Sequence, residues 1–255
     1  MNLPAALLLF LTLSSASQLK APAVIPAEHG TVVTSSARGE PRWRADWTME
    51  PWTVAGRKAV RFTENGKGKY SPFTQEVRWT LESVWLAEGD FYPMQFEKTV
   101  WDLQGHVIAV EKKSFDRTAE KVKFERRNEK GETQTSTFSA APDVLTIEGI
   151  AGILQFFPFG KSGSGGIIRA HLLSNEPGLY DATIEPRGTE RVKTAAGDIN
   201  CYKIELVPHL GLLNVLRVFY PKTYFWFNVE EPHAWVRYQG LENGPGTPEI
   251  VMEAR

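Results

Sequence analysis

The densest group of side chains able to do chemistry lies near the C-terminal end, in Pro221-Lys222-Thr223-Tyr224-Phe225-Trp226-Phe227 and Pro232-His233-Ala234-Trp235-Val236-Arg237-Tyr238. In an extended strand Tyr224 and Trp226 face one way while Phe225 and Phe227 face the other. A strand apolar on both sides is either central and doubly buried, or lines a cavity with one face. If the two segments pair, Trp226 or Phe227 meets Trp235, and Arg237 and Lys222 stand as cations at the rim. The pattern describes an apolar pocket with a charged mouth. Its candidate ligand-binding residues are Trp226, Trp235, Tyr238, Arg237 and Lys222, with plain core packing as the alternative.

Other motifs fall short of a catalytic set. Gly160-Lys161-Ser162 has the ending of a phosphate loop, but Gln155 stands where the loop's first Gly is needed. Ser164 occupies the last Gly position of a nucleophile turn in the same stretch. Cys201 shares a strand face with Lys203, which could lower its pKa, and His209 lies nearby in sequence. Nothing supplies the remaining base and orienting group, so a small side chain packed in the core is expected. The five histidines, His29, His106, His171, His209 and His233, show no metal-ligand spacing, so no metal or other cofactor is expected. Glu230, Glu231 and Glu242 are acids that read as turn residues, although paired carboxylates could serve a hydrolase.

The elements that must position these residues read as strands. Trp43, Ala45 and Trp47 alternate with Arg44 and Asp46, and Val77, Trp79 and Leu81 alternate with charged or hydroxyl neighbours. One wet and one dry face is the mark of an antiparallel sheet. Strands are expected at 91–101, 106–115, 119–126 and 133–139, the last two separated by a turn ending in Gly131. Further strands are expected at 167–174, 179–185, 187–194, 198–207, 223–229, 233–239 and 249–253, with 210–216 a loop or helical turn. One segment departs from this rhythm. Thr146 is placed to cap a short helix in which Ile147, Ile150, Ala151 and Leu154 share a face, Glu148 sits in the first turn, and Pro158 ends the run.

Residues 1–17 have the form of a signal peptide: an apolar run from Met1 to Leu13, then Ser15-Ala16-Ser17 as small cleavage-site residues. The run is shorter than the ~20 residues a membrane-spanning helix needs, so a protein that does not span the membrane is expected. Residues 18–39, rich in Ala, Pro, Ser and Thr, read as a flexible arm, and 40–255 as a single domain. With 29 basic and 30 acidic residues the net charge is −1, which gives no reason to expect a nucleic-acid partner. One cysteine excludes an intramolecular disulfide, so packing must supply the stability.

Three stretches carry a resemblance. They are Thr146-Ile147-Glu148-Gly149-Ile150-Ala151-Gly152-Ile153-Leu154 with Phe156-Phe157-Pro158-Phe159; Gly188-x-Glu190-x-Val192-x-Thr194-x-x-Gly197; and Trp226 through Pro232. From about residue 145 onward the chain resembles an exported bacterial family of unknown function, whose members look like curved antiparallel sheets related to lipoprotein-carrier half-barrels. The resemblance implies an all-β fold, a single curved antiparallel sheet or open half-barrel with a short apolar helix on its concave side. It carries no catalytic residue. The expected protein is a non-enzymatic, periplasmic or otherwise exported carrier for a lipid or other amphiphile. The alternatives are a structural or assembly partner of the cell envelope and, less favoured, an envelope hydrolase.

Overall fold

The computed structural model describes residues 19–160, 163, 165–173, 175–195, 197–209, 221–244 and 246–255. The signal peptide expected at 1–17, Lys161, Ser162 and Ser164 of the glycine-rich stretch, and the 210–216 segment lie outside the described residues. The strands are β1 (Glu28–Ser36), β2 (Pro41–Val54), β3 (Arg57–Lys69), β4 (Glu76–Glu88), β5 (Asp90–Trp101), β6 (Val107–Asp116), β7 (Lys121–Asn128), β8 (Thr133–Ser139) and β9 (Val144–Thr146). After the helix α1 (Ile150–Leu154) come β10 (Ile168–Leu173), β11 (Leu179–Thr194), β12 (Gly197–Pro208), β13 (Thr223–Asn228), β14 (Trp235–Leu241) and β15 (Glu249–Ala254).

All fifteen strands belong to one sheet, in the order β8-β7-β6-β5-β4-β3-β2-β1-β15-β14-β13-β12-β11-β10-β9. Every ladder is antiparallel except the short parallel pairing of β9 with β10. The sheet is therefore two meanders, joined where β1 pairs with β15. Long strands twist, and bulges add bend. Register shifts fall at Thr34/Ser35, Val84/Trp85, Val100/Trp101, Pro186/Thr189 and Trp226/Phe227. The result is the expected all-β, strongly curved and unclosed sheet.

The concave face holds the main core. Ile150, Ile153 and Leu154 of α1, with Phe157, pack against Met49, Val60 and Trp85 from one meander and Ile184, Ile204 and Phe227 from the other. The lips of the sheet meet through side chains. Lys113 of β6 reaches Glu148 at 2.5 Å, and Arg126 of β7 donates to the carbonyl of Asn175 beyond β10. Leu86, Tyr92, Phe115 and Val122 pack there against Val144 and Leu173.

Two expectations are corrected. The arm assigned to residues 18–39 contains β1, a central strand paired on both sides, and Leu19 and Ile25 are core residues. The β-branched run Thr31-Val32-Val33-Thr34 carries that strand despite its polar flanks. The helix is shorter than expected and has no side-chain cap: its N-cap is Gly149 at φ 76. Thr146 belongs to β9, and its hydroxyl bonds the Glu148 carboxylate, which faces Lys113. Pairing with Leu173 and ion-pair formation draw these two residues away from the helix.

Candidate functional site

The concave face is assembled strand by strand from side chains in register. Trp47 of β2 stands opposite Gly30 of β1 and Glu64 of β3; across the other meander Phe227 of β13 stands opposite Trp235 of β14. Trp235 and Tyr238 both pack on the concave core, with Tyr238 edge-on to Phe225 at 5.1 Å. Trp226 does not join them. It points to the opposite face, where it is buried with Val192, Cys201 and Val236, and its indole N–H donates to Glu190.

Arg237 is also on the far face, opposite Trp226, ion-paired with Glu253 and donating to the carbonyl of Lys193 at 2.6 Å. Lys222 is mostly exposed, 4.0 Å from Glu205. The five candidates therefore divide: two face the concavity and three do not. The bulge between Trp226 and Phe227 pairs Trp235 with Phe227, so alternation alone could not place the set.

The concave face also holds polar atoms with no partner. Among the described residues, Glu28 Oε1, Trp47 Nε1, Gln155 Oε1 and Trp235 Nε1 are buried and lack a hydrogen bond. Glu28 and Gln155 lie together at the end of α1, and Trp47 and Trp235 pack against the same core. Gln155 is the helix C-cap and directs its amide to the Met49 sulfur, and Met49 pairs with Glu28. Burial pushes the Glu28 carboxyl above the ordinary carboxylate range, with Gln155 opposing the shift. A Cβ on Gly30 would lie 3.1 Å from Trp47 Nε1, so that indole rests over bare backbone. Each unmatched buried donor or acceptor costs about 1–3 kcal/mol.

A second polar group lines the β3–β7 side of the concavity. Trp79 Nε1 donates to Glu64 at 2.6 Å, and Lys98 bonds the Tyr70 hydroxyl, which donates to Asn243 at 2.8 Å. Desolvation lowers Lys98 to about 8, against the pull of Glu64 and Glu111. Burial raises Glu64, and it raises Tyr70 well above the usual phenol value with Glu64 and Glu242 adding to the shift. The concavity is thus largely apolar on both sides, with this polar group set among Trp43, Trp79, Leu81 and Phe96.

Sequence reasoning passed over most of these residues. Glu242, read as a turn acid, has a fully buried side chain that accepts from Arg42, from Trp43 Nε1 at 2.7 Å and from the Ser71 amide at 2.9 Å. Glu230 and Glu231 are exposed on the β13–β14 turn. Cys201 is fully buried, and burial raises its thiol to about 11; His209 instead meets Thr183. Among the described residues no group of three His, Cys, Asp or Glu side chains is placed to hold a metal ion. No helix among them is long and apolar enough to cross a membrane.

No protein-family model matches the chain, and no curated protein is similar to it. Two solved structures are similar at a low level. One is described as a "putative lipoprotein" from Parabacteroides distasonis, 10% identical over 93% of this chain and 97% of that one, with a TM-score of 0.32. The other is described as a "putative exported protein with YmcC-like fold" from Bacteroides fragilis, 9% identical over 93% and 98%, with a TM-score of 0.31. Similarity of this degree assigns this chain neither a family nor a role.

Proposed function

We propose that this chain is an exported, non-enzymatic binding or carrier protein for a lipid or other amphiphile, held on the concave face of the sheet. One observation carries the reading: the filling of the concavity is a short, uncapped helix and its aromatic tail, set beside unpartnered indole N–H groups. α1 has five residues and no side-chain cap, and Gly149 and Gly152 carry no side chain against Trp85, Phe62 and Met49. An isolated helix of this length has little intrinsic stability, so it depends on its apolar contacts. An acyl chain offers the same contacts, and a headgroup offers acceptors to Trp47 and Trp235. In this reading the 150–159 segment occupies the site when no ligand does.

The test is native mass spectrometry of the full chain purified gently from the envelope, with solvent extraction of bound material, followed by exposure to envelope lipids. A stoichiometric amphiphile is the expected result. Trp47→Phe with Trp235→Phe keeps an aromatic ring at each position, smaller than the indole, removes both N–H groups and should lower retention. Trp226→Phe, on the other face, should leave retention unchanged. A protein that stays bare after lipid exposure would overturn the proposal.

A second reading, an assembly partner in the cell envelope, draws on one feature. β8 ends the sheet order, its outer edge is unpaired within the sheet, and most of its side chains are exposed. Free edges of this kind accept a strand from another chain.

A further inference from the structure

The face opposite the concavity carries a row of cations. Arg44 of β2 is directly opposite Lys67 of β3, Lys67 is opposite Arg78 of β4, and Arg78 is opposite Trp101 of β5. All three basic side chains are exposed and Trp101 is half-buried. Like charges placed directly across a ladder repel, so sheets ordinarily alternate their signs. The neighbouring row does so, with Lys69 opposite Glu76. In the cationic row only Arg44 has a counter-ion, Asp46 at 3.6 Å. Among the described residues Lys67 and Arg78 have neither an ion pair nor a side-chain hydrogen bond.

This row lies in a depression of about 860 Å³ whose walls include Thr80, Asn65, the Gly105 hairpin and, at its margins, the carboxylates of Asp46 and Glu76. Adjacent strands are about 4.8 Å apart, so the three charges span roughly 10 Å. Guanidinium and ammonium groups at that spacing suit two phosphate groups, with Arg able to bind in bidentate fashion. The Trp101 indole at the end of the row offers an apolar surface to the carbon skeleton joining them.

We infer that the outer-face groove of Arg44, Lys67, Arg78 and Trp101 is a binding site for a ligand bearing at least two phosphate groups. The ligand is either a soluble phosphorylated molecule or the headgroups of an anionic lipid surface, and both present the same chemistry to the row. The site is separate from the concave one and stands or falls without it.

The test uses the full chain and two probes at about 0.15 M salt, where long-range steering is largely screened. Calorimetry measures inorganic tripolyphosphate; co-sedimentation measures phosphatidylglycerol/phosphatidylcholine vesicles against phosphatidylcholine alone. Binding of tripolyphosphate identifies a soluble source, and binding of the anionic vesicles alone identifies a lipid headgroup. Lys67→Gln with Arg78→Gln should weaken the productive probe at least tenfold, while Lys67→Arg retains it. The double variant should melt no lower than the wild type, because it removes repulsion, so lost binding cannot be put down to lost folding. Lys121→Gln with Lys130→Gln makes the same charge change elsewhere and should bind as the wild type does. Failure of both probes, or equal losses in the two double variants, overturns the inference.

Discussion

Gly66 is where the curved sheet is least able to accept a side chain. A Cβ there would lie 2.0 Å from Cζ2 and 2.1 Å from Cε2 of Trp79, so Gly66→Ala must displace that indole by more than an ångström. The ring has little room to move. It is 1% exposed, edge-on to Trp43 at 5.4 Å and tilted on Tyr70 at 4.7 Å. Displacement also breaks the bond from Trp79 Nε1 to the partly buried Glu64 carboxyl. Overpacking costs about 1–3 kcal/mol, and a hydrogen bond to a charged group about 1.5–3 kcal/mol. Replacing a strand glycine returns roughly 0.5–1 kcal/mol. The net expectation is a loss of about 2–5 kcal/mol, or about 1–2 M in the urea midpoint. Urea unfolding followed by tryptophan fluorescence measures it, with near-UV circular dichroism reporting the displaced ring. Gly166→Ala, at an exposed position with open space around the new Cβ, is the control and should be neutral. A midpoint for Gly66→Ala equal to that of the control would refute the steric argument.

Three further outcomes are expected. Glu242→Ala leaves the partly buried Arg42 guanidinium and the Trp43 N–H without their acceptor, and should cost about 3–5 kcal/mol in chemical denaturation; a loss below about 1 kcal/mol would mean water replaces the carboxylate. Lys98 releases its proton near pH 8 in the folded chain and near 10.5 when unfolded. Between those values the unfolded state binds more protons, so the stability of the wild type relative to Lys98→Met should rise with pH across that window and be flat below it; parallel curves would contradict the shift. Finally, Cys201 is buried with its thiol raised to about 11, so Ellman's reagent at pH 8 should label it slowly in the folded protein and fast in denaturant. Fast labelling of the native chain would mean that the β12–β13 pairing opens.

Most of the strands were legible because their side chains alternate. Val77, Trp79 and Leu81 define one face of β4, and Asn128 to Gly131 form the β7–β8 turn with Gly131 at φ 79. β1 was hidden because its run is short and one of its partners, β15, lies at the other end of the sequence. The short helix was expected on the concave side and is there, but its supposed cap and first-turn acid serve β9 and the ion pair to Lys113. The candidate site was read only in part. Trp235 and Tyr238 face the concavity; alternation alone turns Tyr238 away from Arg237 and Trp226, whereas Trp235 is turned away from them by the bulge. Trp47 was legible only as a member of an alternating strand face, and Lys98 and Glu64 gave no local signal, since what distinguishes all three is the set of strands on either side. Glu242 looked like a solvated acid because nothing near it in sequence announces the guanidinium of Arg42.

The pairing of β1 with β15, Val32 beside Ala254, also bears on how the molecule is made. A chain delivered from its N-terminus presents β1 before β15, so one side of β1 stays open until Glu249–Ala254 arrive. Each meander can form alone from neighbouring hairpins, but the two cannot join before then. Biogenesis therefore passes through a species with two exposed inner edges, at β1 and at β14, each a template for the wrong partner. Removing Glu249–Ala254 would fix the chain in that species. Loss of this short terminal strand should trap the newborn protein with holding chaperones or in aggregates, whereas trimming β8 at the sheet's outer margin should be far better tolerated.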